Sequence, residues 1–425
     1  MEKQKMRKTR KINIWIGLMS MLLASCALQR DSSVDTRNVA YDWESVPMHP
    51  EYFVHHLSAD SSELYVKLNS SELLYARRSP EAPFTARLDC EVAIHKWQDG
   101  QFVLHDSLVM QMEDTNPQQK ERIVMDSKRF ELDDDAVYRF DVLLIDRNRR
   151  SGLEQELEVF KTPEGSREDF LFFLDERRLP LMLDMVPANA ELRVECPRCA
   201  AEVPLVRWKP DLNLPPPPYT EARITLPEAP EGKSERFAIS NSLSTGEEGL
   251  LSFGNGDGKL IFSLLVADGG FPNVETLKAM VVSLRYISGR REYERLETAN
   301  NVKKELDSFW LDCGGTKDRT RELIRIYYRR VQEANYYFSS LTEGWRTDRG
   351  LMHIIFGNPS RVKRDKDGET WIYGEENNIN SMSFRFVRVG NPYSRNHYVL
   401  ERNPLYRTDW DRAVTAWRNG RVFQE

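Results

Sequence analysis

Leu88-Asp89-Cys90-Glu91-Val92-Ala93-Ile94 decides the fold of the first half of this chain. Leu88, Cys90, Val92 and Ile94 share one side of an extended strand, with Asp89 and Glu91 on the other. That two-residue period belongs to a sheet with a single face on a core. Leu64, Val66 and Leu68 repeat it upstream, with Tyr65 and Lys67 between them. Gln98-Asp99-Gly100-Gln101 follows as a hairpin turn, then Phe102-Val103-Leu104 and a run at 107–112. Further runs lie at 122–125, 136–145 and 153–160, the last two joined by Asp146-Arg147-Asn148-Arg149. Short strands at regular spacing, broken by turn signals, predict an antiparallel β-sandwich over 61–162.

Thr162-Pro163-Glu164-Gly165-Ser166 reads as a linker. Strand-like runs at 182–185, 191–195, 203–208, 236–239, 250–253 and 259–266 predict a second sandwich-like β domain over 167–268. Pro215-Pro216-Pro217-Pro218 forms a stiff polyproline segment, read as a rigid connection between strands. A ligand for a partner's aromatic groove is the alternative. Asn255-Gly256-Asp257-Gly258 lacks the spaced acidic series of a calcium loop and reads as a hairpin turn.

From residue 270 the period becomes helical. Val274, Leu277, Met280, Val281 and Leu284 fall at helical spacing, and Leu296, Val302, Leu306 and Phe309 continue it. Over 318–340, Ile324, Tyr327, Tyr328, Val331, Asn335 and Phe338 line one stripe. Arg321, Arg325, Arg329 and Glu333 form the opposite, solvated face. This gives a helical segment at 270–340. In 341–425, Leu351-Met352-His353-Ile354-Ile355-Phe356 is apolar on both faces and reads as a central strand. Lys366-Asp367-Gly368-Glu369 turns the chain into a returning strand at 370–373, and 382–389 and 397–402 supply two more. The fold class is therefore multidomain: two antiparallel β-sandwich-like domains, a helical segment, and a C-terminal α+β module of a helix plus a four-stranded antiparallel sheet.

Lys3, Lys5, Arg7, Lys8, Arg10 and Lys11 precede an apolar run that ends in Leu23-Ala24-Ser25-Cys26. The run is too short for a bilayer span and has the layout of a secretory signal. Its end resembles the lipobox of bacterial lipoproteins. That resemblance implies removal of 1–25, acylation of the Cys26 thiol and amine, and a membrane partner reached through the lipid. The polar stretch 26–60 then reads as a tether. Ala27-Leu28-Gln29-Arg30-Asp31 places no Asp directly after the cysteine, which by resemblance to sorted lipoproteins favours the outer membrane, periplasmic face before cell surface.

Cys196-Pro197-Arg198-Cys199 reads first as a local disulfide and second as two free thiols. A zinc knuckle lacks its second ligand pair, and a redox site lacks its following helix. Net charge is −6, and the one basic cluster lies in the leader, so nucleic acid is not an expected partner. No metal, cofactor or catalytic signature is expected: there is no P-loop, His-Glu-x-x-His or Gly-x-Ser-x-Gly.

Gly344-Trp345-Arg346-Thr347-Asp348-Arg349-Gly350 resembles the GWxTD-domain proteins of bacterial envelopes. So do Leu284-Arg285-Tyr286-Ile287, Phe309-Trp310, Tyr327-Tyr328, Ala334-Asn335, Ile355-Phe356-Gly357-Asn358-Pro359, Glu369-Thr370-Trp371-Ile372-Tyr373-Gly374, Trp410 and Trp417-Arg418-Asn419-Gly420. The resemblance covers roughly 270–425 and implies no reaction. It marks Gly344, Trp345, Thr347, Asp348, Arg349, Gly350, Gly357, Pro359, Trp371 and Tyr373 as structural or binding residues. In the structural reading, Thr347 or Asp348 caps a turn, and Asp348 or Glu369 pairs with Arg349 beneath Trp345. In the catalytic reading, Asp348 acts with His353 while Arg349 grips an anion, yet a nucleophile and an orienting group are missing. The expected function is a non-enzymatic interaction or scaffold protein, in outer-membrane assembly or secretion, with other envelope proteins as partners. A glycan- or peptide-binding surface lipoprotein is the alternative, and a hydrolase the second alternative.

Overall fold

The computed structural model describes residues 35–37, 41–115, 120–174, 179–221, 226–229, 234–268, 270–375 and 381–423; Cys26 and the leader lie outside them. Among the described residues no helix is long and apolar enough to cross a membrane.

The alternating runs pair as expected into a sandwich. One sheet has the order Asp35–Arg37, Ser151–Lys161, Ala136–Asp146, Thr85–Gln98, Gln101–Thr115, and the other Glu51–His56, Ser61–Asn69, Ile123–Glu131. All pairings are antiparallel except that of Asp35–Arg37, which runs parallel to the start of Ser151–Lys161. Leu64, Val66 and Leu68 meet Leu88, Cys90, Val92, Ile94, Phe140 and Leu144 in the core between the sheets.

The tether expected over 26–60 is corrected here, because Glu51–His56 is a full strand of the second sheet. Tyr52 and Val54 enter the sandwich core, while Phe53, on the other side, packs on Leu171, Phe173 and Met182 of the next domain. A strand covered on both faces has no polar side to alternate with, so its period is invisible.

The second domain is also a two-sheet sandwich. Met185–Pro187, Leu260–Ala267, Gly249–Gly254, Glu202–Trp208 and Glu235–Ala238 form one sheet; Pro180–Leu181, Leu171–Phe173, Glu191–Glu195 and Leu243–Ser244 form the other. Phe170, Phe172, Phe253 and Phe262 stack at its centre. A disulfide joins Cys196 to Cys199, and Asn255-Gly256-Asp257-Gly258 turns a hairpin. The expected linker runs directly into a buried 3-10 turn, Arg167–Asp169. Arg167 lies over Phe53 and Phe172 and pairs with Asp184. Arg198, held in the disulfide loop, binds Asp134 of the first sandwich and Asp169 of the turn.

The C-terminal half holds helices α1 (Leu277–Ser283), α2 (Arg290–Thr298), α3 (Val302–Gly314), α4 (Lys317–Phe338), α5 (Asp348–Phe356) and α6 (Arg407–Arg418). An antiparallel sheet ordered Arg361–Asp365, Gly368–Tyr373, Met382–Arg388, Tyr398–Leu400 lies among them. One continuous core, including Trp310, Tyr327, Phe338, Ile355, Trp371, Phe384 and Trp417, spans both the helical segment and the sheet.

The expected four-stranded sheet is present, but one of its strands was misplaced. Leu351-Met352-His353-Ile354-Ile355-Phe356 is helical, within α5, and the sheet's other edge is Arg361–Asp365. Every residue of α5 is buried, so the helix carries no polar stripe to reveal its period. Arg361–Asp365 is an exposed edge strand, polar enough to read as loop.

Phe140, fully buried between the sheets of the first sandwich, tests that packing. Phe140→Ala is expected to cost about 3–5 kcal/mol in a urea titration. A cost under about 1 kcal/mol would mean that the ring does not fill the core as described.

Candidate functional site

The motif begins at a 3-10 turn, Gly344–Arg346, pressed between α4 and α5. A Cβ on Gly344 would strike the Ala334 carbonyl of α4, and one on Gly350 would strike the Gly344 carbonyl. Both positions need glycine for backbone-to-backbone approach. The main chain of the turn is anchored on both sides. Trp345 donates its N–H to Asn335 Oδ1 at 3.1 Å and accepts from the Tyr286 hydroxyl at 3.0 Å.

Thr347 caps α5, as one of the expected alternatives had it, but the cap starts a helix and not a strand. Its Oγ1 accepts from Gly350 N at 3.1 Å and donates to Gly344 O at 2.8 Å. Asp348 follows in the first helical turn. Arg402 grips both of its oxygens, Nη2 to Oδ1 at 2.5 Å and Nη1 to Oδ2 at 3.1 Å, and Leu400 N donates to Oδ2 at 2.8 Å.

Arg349 pairs with Glu369, as one structural alternative expected, at 3.6 Å. It does not lie beneath Trp345: its guanidinium covers the Tyr398 ring at 3.9 Å and the Phe338 ring at 5.1 Å, and donates to the Asn396 carbonyl at 3.0 Å. Glu369 also accepts from Trp371 Nε1 at 3.0 Å, Arg364 Nε at 3.1 Å and the Tyr41 hydroxyl at 2.6 Å. Burial pushes the Glu369 carboxyl up, but the charges of Arg349 and Arg364 and the hydrogen bonds outweigh it and leave it below its ordinary value. Burial and the Glu369 charge together push Tyr41 up to about 12.

Asp348 and His353 bind different partners. His353 is fully buried with Nε2 at 2.9 Å from Glu333 Oε2, and burial lowers its pKa despite that carboxylate. Glu333 thereby leaves the solvated face expected of α4 and becomes interior. Gly357 ends α5 with φ +85°, its N–H on the His353 carbonyl, while Arg330 covers the Ile354 and Ile355 carbonyls. Pro359 is buried just after this end. Trp371 is fully buried against Phe338 and Phe386, and Tyr373 donates to the Gly357 carbonyl at 2.9 Å.

The structure thus brings the motif residues together with partners that sequence reasoning missed: Arg402, Asn396, Arg364 and Tyr41. Tyr41 lies in the stretch taken for tether; Tyr41 and Trp43, paired aromatics in a polar stretch, were the available signal. Tyr41 seats its ring between Phe338 and Trp371.

Beside this cluster lies a cleft of about 1470 Å³. Glu91, Asp141, Glu154, Glu156 and Glu158 of the first sandwich line one wall; Arg349, Arg364, Arg388 and Arg395 line the other. Arg388 crosses it to Glu158 at 2.6 Å, and Arg395 binds Glu168 at 2.8 Å. Among the described residues no group of three or more His, Cys, Asp or Glu is placed to hold a metal ion.

Residues 253–419 match the GWxTD domain family. The chain carries a GWxTD domain over these residues. No curated protein matches it. Among solved structures, it is 12% identical to a beta-glucuronidase of Bacteroides uniformis over 33% of this chain and 16% of that one, with a TM-score of 0.18. It is 17% identical to a putative beta-galactosidase of Bacteroides fragilis over 29% of this chain and 17% of that one, with a TM-score of 0.17. The chain therefore spans only 16–17% of the length of those two structures, and likeness this slight carries no functional argument. Within the fold the GWxTD heptapeptide contributes two glycines at close backbone approaches, a threonine cap, and two buried charges with internal partners.

Asp348→Ala leaves Arg402 without its counter-charge, and breaking a buried pair on one side costs roughly 3–5 kcal/mol. Chemical denaturation is expected to read a loss of that size; a loss below about 1 kcal/mol would mean that solvent already screens the pair. Because the Glu369 carboxyl is lowered in the fold, its contribution is present above the unfolded carboxyl pKa, roughly 4.3. It is lost as pH falls through the lower folded value. Glu369→Gln should flatten that acid limb in melts between pH 2 and 7, and an unchanged limb would assign the acid sensitivity elsewhere.

Proposed function

We propose that this GWxTD-domain protein is lipid-anchored in the bacterial cell envelope and works by binding other envelope proteins, in outer-membrane assembly or secretion, rather than by making or breaking bonds. One observation carries the reading: the charged groups of Asp348 and Arg349, the only candidates for chemistry in the motif, are engaged by Arg402, Leu400 N, Glu369 and Asn396 inside the fold. A general acid or base must instead reach a reacting atom in a cleft. The contact role is also supported by sheet edges that no described strand covers, such as Gln101–Thr115, with exposed Val103, Leu104 and Val109.

The anchor rests on the basic and apolar leader and on Cys26. Each buried CH₂ contributes about 0.8 kcal/mol, and more than one acyl chain is needed for stable attachment. The outer membrane, periplasmic side, is the proposed location. A second reading, a glycan- or peptide-binding surface lipoprotein, is favoured by the aromatic lining of the cleft, where Trp43, Tyr336, Tyr337 and Tyr398 gather.

Mass spectrometry of the mature N-terminus should find an acylated Cys26, and Cys26→Ser should move the protein from the membrane to the soluble fraction. A soluble wild type with an unmodified N-terminus would sink the anchor. Crosslinking in intact cells should return defined envelope proteins, and recovery of the bait alone would sink the contact role.

A further inference from the structure

The connection from Trp208 to Glu235 is far longer than two paired strands need. Its first part leaves the second sandwich and crosses to the GWxTD module, carrying Leu212-Asn213-Leu214-Pro215-Pro216-Pro217-Pro218-Tyr219. Three carbonyls of this strap are bound there. Arg346 Nη2 donates to Leu212 O at 3.0 Å, Arg402 Nη2 to Pro216 O at 3.3 Å, and the Asn403 N–H to Pro218 O at 3.1 Å. Leu212 joins an apolar cluster with Leu341 and Tyr393, and Pro218 is buried. Tyr219 packs on the C-terminal core under the Arg407 guanidinium, 5.5 Å from the ring centroid.

A proline run has fixed φ and no N–H, so it stays extended and offers carbonyls as acceptors only. A receptor for it needs donors spaced along a face and apolar slots between them. Arg346, Arg402 and Asn403 are such donors, and the slots hold Leu212 and Tyr219. The Arg402 fork is set in advance by both oxygens of Asp348. Arg346 and Asp348 of the heptapeptide therefore serve the same surface.

We propose that this face of the module is a receptor for proline-rich extended segments, filled in cis by residues 212–219, and that a partner protein offering a proline run flanked by leucine and tyrosine competes for it. The long connection lets the strap lift without unpairing either flanking strand. The inference rests on the reading of the chain as a contact protein and adds the partner's chemistry; capture of envelope proteins through other faces would survive its failure.

The test uses the mature chain with Pro215, Pro216, Pro217 and Pro218 all changed to Gly, and a fluorescent peptide of the sequence at 211–221. By anisotropy, this variant should bind the peptide at least tenfold more tightly than the unaltered chain. Adding Arg346→Gln should weaken binding at least fivefold, as should replacing the peptide's prolines with alanine. A variant that melts like the unaltered chain yet binds no peptide would overturn the proposal, as would equal affinity for the alanine peptide. A species of twice the mass with no peptide uptake would assign the face to strap exchange between copies and also overturn it. If the fourfold substitution unfolds the chain, Tyr219→Ser loosens the strap without touching the donors and is judged by the same limits.

Discussion

The grip of Arg402 on both oxygens of Asp348 is the constraint on which the C-terminal half depends. Asp348 stands in the first turn of α5, where the helix dipole already favours a carboxylate. Leu400 N brings the last strand of the sheet to the same carboxylate, and Arg402 Nη2, which also binds Asp348, reaches the proline strap. Helix, sheet and a segment of the preceding domain thus meet at one ion pair. Neither charge is tolerable there alone, because desolvation in the interior costs several kcal/mol per ion. The two glycines beside it set how closely the backbones approach, and the pair sets which segments do so.

Arginine does similar work at the other junctions. Arg167 stacks on rings from both sandwiches, Arg198 joins Asp134 to Asp169, and Arg395 reaches Glu168 from the C-terminal module. A planar, always charged group that both stacks and hydrogen-bonds suits a surface that is part apolar and part polar. The bond between Cys196 and Cys199 closes a small loop around Arg198 and limits how far that side chain's base can move. Successive modules are in this way held by specific contacts rather than by a passive string.

How much of this was legible in the sequence follows from where each segment lies. Leu88, Cys90, Val92 and Ile94 announced a strand because Asp89 and Glu91 on the opposite face are polar, and Ile324, Tyr327 and Val331 announced α4 because charged residues stand opposite them. Residues 51–56 and 351–356 gave no such signal. Both are packed on both faces, so polar and apolar residues do not alternate along them and no period distinguishes strand from helix. The cap at Thr347 was readable, although the helix it begins was not. The partners of the motif were harder still: Arg402 is 54 residues from Asp348, and Tyr41 is 328 from Glu369. Ion pairs across such separations leave no local pattern. They become visible only once the core has set the distances.

Tyr41 has a mechanical consequence. Its ring is wedged between Phe338 and Trp371, and just before it Asp35–Arg37 is laced along the first sandwich. The stretch from Cys26 to Asp35 extends at most about 30 Å even when pulled straight. A body fastened at Cys26 would therefore ride close to its bilayer. Under the proposed anchoring, tension on the fastening would reach the laced strand before the aromatic heart of the GWxTD module.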